Sequence, residues 1–313
     1  MQPPQAGLTA APDGGRTLVL GASGFVGTAL LRTLGPDRGI GTFHARPIEG
    51  AIPFDATRDD LAALLARAGE GITRLYLLHG AVNPEACARD PAGTAAINVV
   101  GVKRLVAEAL DRGILPVFVS SDYVFDGTRG LRLDDEPQCP NTEYGRQKAE
   151  VERWMAAQDA PCLVARLSKV VGGAEGVHSV LGQLLPDIRR GAALRMATDQ
   201  VFSPAHVDDV ARALAELPGL GARGIVNVAG PEAISRHDLT AILLDAIRRR
   251  DPAVAPRLEP CSLREIRFLE ERPLNTSLST ARLQRLLPWR FRRMEEVCDT
   301  LAEAAFGHAR AEA

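Results

Sequence analysis

Apolar residues gather along this chain in short runs, separated by stretches with a helical period. "TLVLG" (17–21) is a continuous apolar run of strand length. The stretch after it, "GFVGTALLRTLG", brings Phe25, Val26, Ala29, Leu30 and Leu34 round at helical spacing and stops at Gly35, a helix-capping residue. Further strand-length runs follow in "GIGTFHA", "RLYLLHG", "LPVFVSS" and "PCLVARLS", with helical stretches such as "DDLAALLARAG" and "AGTAAINVVGVKRLVAEALDRG" between them. Apolar strands alternating with helices predict an α/β fold, a Rossmann-type doubly wound parallel sheet. The expected organisation is a Pro- and Gly-rich flexible tail over 1–16, a sheet domain from 17–170 and 196–230, and a smaller C-terminal lobe from 171–195 and 231–313. No internal repeat is visible.

Composition changes this picture little. Hydrophobic residues make up 46% of 313 and charged ones 24%, the profile of an ordinary soluble globular protein. A formal net charge of −2 gives no whole-molecule field to draw in nucleic acid or a membrane surface. From Arg248 to Arg293, however, twelve arginines face five acidic residues. That surplus is either a solvated surface or a lobe that receives an anionic substrate. Five scattered cysteines without a CxxC pair support neither a disulfide framework nor a metal site, and fit a reducing compartment. With no apolar signal core at the N-terminus, a cytoplasmic location is expected.

The first strand runs into "GASGFVG", where Gly21, Gly24 and Gly27 are flanked by Ser23 and Phe25. Glycines at this spacing let the turn reverse, bring backbone N–H groups against a pyrophosphate, and pack the helix on the strand. The sheet domain is therefore expected to bind NAD(P). An NAD-preferring site places an acid at the end of the second strand, but "GTFHARP" has none and offers His44 and Arg46. A guanidinium suits a 2′-phosphate, which makes NADPH the expected cofactor and NADH the alternative. Asp55 either accepts from the adenine amino group or caps the helix that follows.

"EYGRQK" sets Tyr144 and Lys148 four apart, on one helical face. Three tyrosines and three lysines would produce roughly 0.03 such pairs by chance. The lysine is the more telling because this chain otherwise uses arginine for its cations, 34 to 3. An ammonium beside a phenol is expected to pull its pKa toward neutrality, so that Tyr144 gives a proton to a carbonyl oxygen while hydride reaches the carbon. Ser121, ending the fourth strand in "SSDYVFDG", is placed to donate a hydrogen bond to the same oxygen.

The glycine-rich turn with Ser121, Tyr144 and Lys148 resembles the extended short-chain dehydrogenase/reductases. "SSDYVFDG", "EYGRQKAEVE", "DQVFSPAHVDDVARAL" and "RPLNTSLSTARL" resemble the dTDP-4-dehydrorhamnose reductase family in particular, over Thr17 to about Met294. The resemblance implies an NADPH-dependent reductase of a keto group on a nucleotide-linked 4-keto-6-deoxysugar. It places Tyr123, Val124, Arg272 and Asn275 with the substrate, and gives Asn98 a part in cofactor support, against a plain helix-terminus hydrogen bond. His79 in "LLHGAVNPEAC" and Lys169 in "RLSKVVGG" depart from the family's pattern. His79 is either packed or a pocket residue, and Lys169 either touches phosphate or lies on the surface. A non-catalytic NADP-binding subunit, like the regulatory subunit of methionine adenosyltransferase, shares this fold and stays open, as does an epimerase or dehydratase. The oligomeric state is open, a homodimer included.

Overall fold

The computed structural model describes residues 14–172 and 179–307. Most of the expected tail, residues 1–13, lies outside the described residues, and Arg16, assigned to that tail, opens the first strand. The first residues of "GVHSVLGQLLPDIRRG" also lie outside them.

Strands in chain order are β1 (Arg16–Leu20), β2 (Gly39–Phe43), β3 (Ile52–Pro53), β4 (Ile72–Leu77), β5 (Leu115–Ser121), β6 (Leu163–Leu167), β7 (Val170–Val171), β8 (Leu194–Ala197), β9 (Val201–Phe202), β10 (Ala205–His206), β11 (Gly224–Val228), β12 (Ile234–Ser235) and β13 (Leu258–Cys261). The helices are α1 (Phe25–Leu34), α2 (Leu61–Ala68), α3 (Pro84–Arg89), α4 (Pro91–Ala95), α5 (Val102–Leu110), α6 (Glu143–Ala156), α7 (Leu185–Arg189), α8 (Val207–Glu216), α9 (Arg236–Arg248), α10 (Ala281–Leu286) and α11 (Met294–Phe306).

Seven strands form the main sheet in the order β11-β6-β5-β4-β1-β2-β3, every pair parallel. Successive side chains on a strand leave opposite faces, and here both faces are covered. Val19, Tyr76, Val117 and Ala165 pack with α1 and α8 on one side. Leu18, Leu20, Leu75, Leu77 and Phe118 pack with α2, α5 and α6 on the other. A third cluster, away from the sheet, joins Leu185 and Ile188 of α7, Met196 of β8, Leu239 and Leu243 of α9, and Val297 and Leu301 of α11.

The chain runs outward from β1 to β2 and β3, then returns across β1 to β4. That reversal leaves a crevice at the carboxyl ends of β1 and β4, the usual ligand position in an open α/β sheet. One departure from the expected elements bears on it. The single helix read through 92–113 is α4, a π-helical turn (Ala96–Gly101) and α5.

Candidate active site

The crevice opens into a cleft of about 1240 Å³. At one end stands the N-terminus of α1. Gly21 has φ +79, and a β-carbon there would meet the His79 backbone at 2.7 Å. One on Gly27 would lie 2.5 Å from the Gly21 carbonyl oxygen. Both glycines are thus required by close approach. Gly24 occupies the helix N-cap with no side chain capping the turn, so the first N–H groups of α1 are left for a ligand. Gly21, Ser23, Gly24, Phe25 and Gly27 all line the cleft, as do His44, Arg46 and Asp55 beyond β2. Arg46 is exposed and has no ion pair or hydrogen bond among the described residues. The uncapped helix start, the glycine cradle and a free guanidinium fit a dinucleotide carrying a 2′-phosphate.

Opposite lie the residues of the second motif. Ser121 ends β5, while Tyr144 and Lys148 stand one turn apart on α6, whose N-cap Thr142 accepts from the Gly145 amide at 3.2 Å. All three line the same cleft. Lys148 is buried; its Nζ donates to the Val119 carbonyl at 3.0 Å, 4.6 Å above the Phe118 ring and 5.9 Å from that of Tyr144. Burial lowers its pKa to about 8, against the opposing charge of Glu152. Tyr144 departs from expectation: its pKa is raised. Burial disfavours the phenolate, the neighbouring Asp122 adds to that, and the Ser121 hydroxyl works the other way. Burial outweighs the nearby ammonium, and the phenol keeps its proton at neutral pH.

Other expected residues divide. Tyr123 lines the cleft, its ring edge-on to Tyr144 at 5.9 Å, and Arg272 lines it too. Arg272 donates to Glu85 at 2.6 Å, and its Nη1 is buried without a partner. Val124 does not line the cleft. It turns away from Tyr123 in a 3-10 turn and packs with Phe125, Ala149 and Leu278. Asn275 is also outside the cleft wall. Its Oδ1 accepts from the Ser277 amide and hydroxyl at 3.2 and 2.7 Å, shaping a turn. Asn98 is buried behind the wall. It accepts from the Ala81 amide at 2.8 Å and donates to the Ala81 carbonyl at 3.0 Å and to Gln147 at 2.8 Å, tying the loop after β4 to α6. Asp55 does not cap α2; it accepts from the Thr57 amide at 2.9 Å and pairs with Arg58. Of the twelve arginines between 248 and 293, only Arg272 lines the cleft. Several of the rest are in surface ion pairs, such as Arg249 with Asp299 and Arg293 with Glu232.

Both open departures resolve to the wall of the cleft. His79 lines it with both ring nitrogens buried and unpartnered, and burial together with the charge of Lys148 lowers its pKa to about 4. Lys169 lines it with Nζ 5.0 Å above the Tyr123 ring. Two residues escaped the sequence reading. Arg236, first residue of α9, lines the cleft with no side-chain ion pair or hydrogen bond among the described residues, and no local motif marks it. Asp122 is almost wholly buried and accepts from three hydroxyls; its place inside "SSDYVFDG" was the available signal. Among the described residues no cluster of metal-ligating side chains occurs, and no helix is long and apolar enough to cross a membrane.

Known proteins are similar to this chain in sequence and in fold. A probable low-salt glycan biosynthesis reductase, Agl14, of Haloferax volcanii is 28% identical over 240 residues, 73% of this chain and 79% of its own. Methionine adenosyltransferase 2 subunit beta of Xenopus tropicalis is 26% identical over 289 residues, 87% and 83% of the two chains. The fold matches a crystal structure of dTDP-4-dehydrorhamnose reductase from Bacillus anthracis in complex with NADP at a TM-score of 0.77 and 18% identity, covering 92% of this chain and 98% of that one. The family model described as the RmlD substrate binding domain matches residues 15–305, and with nearly its whole length so matched the chain belongs to that family.

Proposed function

We propose that this protein is an NADPH-dependent reductase of a keto group on a nucleotide-linked sugar, with a 4-keto-6-deoxysugar as the substrate and Tyr144 as the proton donor. The observation that carries the reading is the convergence of Ser121, Tyr144 and Lys148 on a cleft whose other end is the uncapped N-terminus of α1. The names of the reductase relatives support it. On this reading residues 17–170 and 196–230 hold the cofactor, and 171–195 and 231–313 the substrate.

Gly21, Ser23, Gly24, Phe25 and Gly27 would hold the pyrophosphate, Arg46 and His44 the 2′-phosphate, and Lys148 the nicotinamide ribose. When bound, the dinucleotide supplies the hydride that reduces the carbonyl carbon. The chain's own residues manage the proton. Burial keeps it on Tyr144 Oη, which releases it to the carbonyl oxygen as negative charge develops there. The ammonium of Lys148, fixed on the Val119 carbonyl, stabilises the phenolate left behind. Lys169, Arg236 and Arg272 give the substrate end its positive charge, in place of the arginine-rich surface.

A second reading rests on one observation: the match to methionine adenosyltransferase 2 subunit beta covers 87% of this chain, more than the 73% matched to the glycan biosynthesis reductase. A protein acting that way would bind the dinucleotide and modulate a partner. The separating experiment follows NADPH oxidation with nucleotide-linked keto sugars. Oxidation that depends on Tyr144 supports the reductase; tight NADPH binding without turnover supports the modulator.

A further inference from the structure

We infer that Glu270 is a positioning residue for the proton donor: it completes the first turn of α6 from a segment far along the chain, and so ties the seating of residues 263–272 to the placement of Tyr144. This rests on the reading of Tyr144 as the donor. A helix leaves its first amides without intrahelical partners, and a residue next to them in the chain usually supplies the acceptor. In α6 the N-cap Thr142 does this for the Gly145 amide, at 3.2 Å. The Glu143 amide is met from 127 residues away, by both carboxylate oxygens of Glu270 at 3.0 and 2.8 Å. A carboxylate placed there also faces the positive end of the helix dipole. Glu270 accepts from Arg146 Nη2 at 2.5 Å as well, and Arg146 Nε donates to Glu143 at 3.0 Å. Tyr144 lies between the two amides so held.

The segment that carries Glu270 also walls the cleft. It follows β13, which pairs with β8 outside the main sheet, and Leu263, Ile266, Phe268 and Arg272 line the cleft from it. Leu263 is buried with Ala197 and Cys261, but residues 264–269 are all exposed. With so little packing, that stretch is held mainly by its polar ties, and losing one frees it. Arg272 donates to Glu85 of α3 at 2.6 Å, and Asn141 Nδ2 donates to the Glu271 carbonyl at 3.2 Å. Glu270 makes the third tie, to α6 itself. These bonds stand or fall together because they lie within three residues of one another along the segment. Whatever unseats the segment therefore withdraws the acceptor from the turn that holds Tyr144.

The test reads Tyr144 and the segment together in ligand-free protein. Tyrosine is isotope-labelled at Cζ, and the Tyr144 and Tyr123 resonances are identified by Tyr144→Phe and Tyr123→Phe, which leaves Tyr76 as the third. Glu270→Ala is expected to move the Tyr144 resonance and to leave that of Tyr76, buried in the sheet, where it is. Tryptic cleavage after Arg264 and Arg267, followed by mass spectrometry, should rise about tenfold, the worth of one charge-assisted hydrogen bond. An unmoved Tyr144 resonance, a Tyr76 resonance that moves equally, or an unchanged cleavage rate would overturn the proposal. Glu85→Gln unties Arg272 without removing a hydrogen bond to α6, and it keeps the proposal open to refutation if Glu270→Ala does not fold. It too must speed the cleavage and move the Tyr144 resonance, and an unmoved signal contradicts the coupling. In turnover with NADPH and a dTDP-linked 4-keto-6-deoxysugar, Glu270→Ala should lower kcat about tenfold even at saturation, as misplacement of a reacting group implies. A rise in KM with kcat unchanged would count against it. If the wild type reduces no such sugar, the reductase reading fails while the resonance and cleavage experiments still decide the role of Glu270.

Discussion

In the proposed function, individual side chains decide both the cofactor and the proton. Arg46 stands exposed at the cleft without a partner among the described residues, in a loop that lacks an acid. Arg46→Ala should therefore erase most of a preference for NADPH over NADH. The expected loss is about tenfold to a hundredfold in NADPH affinity, the worth of one charge-assisted contact, with NADH affinity unchanged. Titration calorimetry with both nucleotides checks it, and equal affinities in the wild type would count against the 2′-phosphate site. Tyr144 and Lys148 were legible in the sequence because a rare pair at helical spacing states its own geometry. Val124 and Asn275 were not, because a motif names neighbours without saying which way each points. Val124 shares "SSDYVFDG" with Ser121 and Tyr123, yet the 3-10 turn over Asp122–Val124 sends it into the core. The pKa of Tyr144 was misread for a related reason: sequence gives the neighbouring ammonium but not the burial that outweighs it.

At the level of elements, α6 carries Tyr144 and Lys148, the reacting pair of the proposed function, and must on that reading be held rigidly against the sheet. It is clamped by an ion pair with no exposure on either side: Arg166 of β6 donates to Glu152 of α6 through Nε at 3.0 Å and Nη2 at 2.7 Å. Gln138 adds a bond to Glu152 at 2.9 Å. Glu152→Ala leaves a buried guanidinium unpaired and should cost about 3–5 kcal/mol in denaturant unfolding. A loss below about 1 kcal/mol would mean that water or Asp134 takes over the charge. The main strands and helices were legible because their apolar runs were long enough to show a period. The π-helical turn was not. It is anchored by Asn98 reaching Ala81 and Gln147, distant in sequence, and nothing local reports such bonds. Strands of two residues, such as β3 and β7, are too short to carry a period at all.

For the whole molecule, burial of a cation in the cleft links stability to pH. The folded pKa of Lys148, about 8, lies below its ordinary 10.5, so between those values the unfolded chain binds the proton and the folded one does not. Stability then rises with pH through that window, and the cost of burying the ammonium is fully present below about 8. Lys148→Met should melt higher than the wild type at neutral pH, with the gap narrowing as pH climbs past 8. A gap that is constant or widening contradicts the shift. The arginine surplus near the C-terminus stayed open between a solvated surface and an anion-receiving lobe at this same scale, because its counter-charges lie far off in the chain: Arg292 meets Asp209 and Arg293 meets Glu232. What pairs with what is a property of the folded molecule. The central claim, that this cleft reduces a carbonyl with Tyr144 as donor, is tested most directly by single-turnover oxidation of bound NADPH by a dTDP-linked 4-keto-6-deoxysugar. The wild type should oxidise NADPH, and Tyr144→Phe, which keeps the ring and loses only the hydroxyl, should be slower by ~10² or more with NADPH affinity unchanged. Equal rates in the two proteins, or no oxidation by the wild type, would contradict the account.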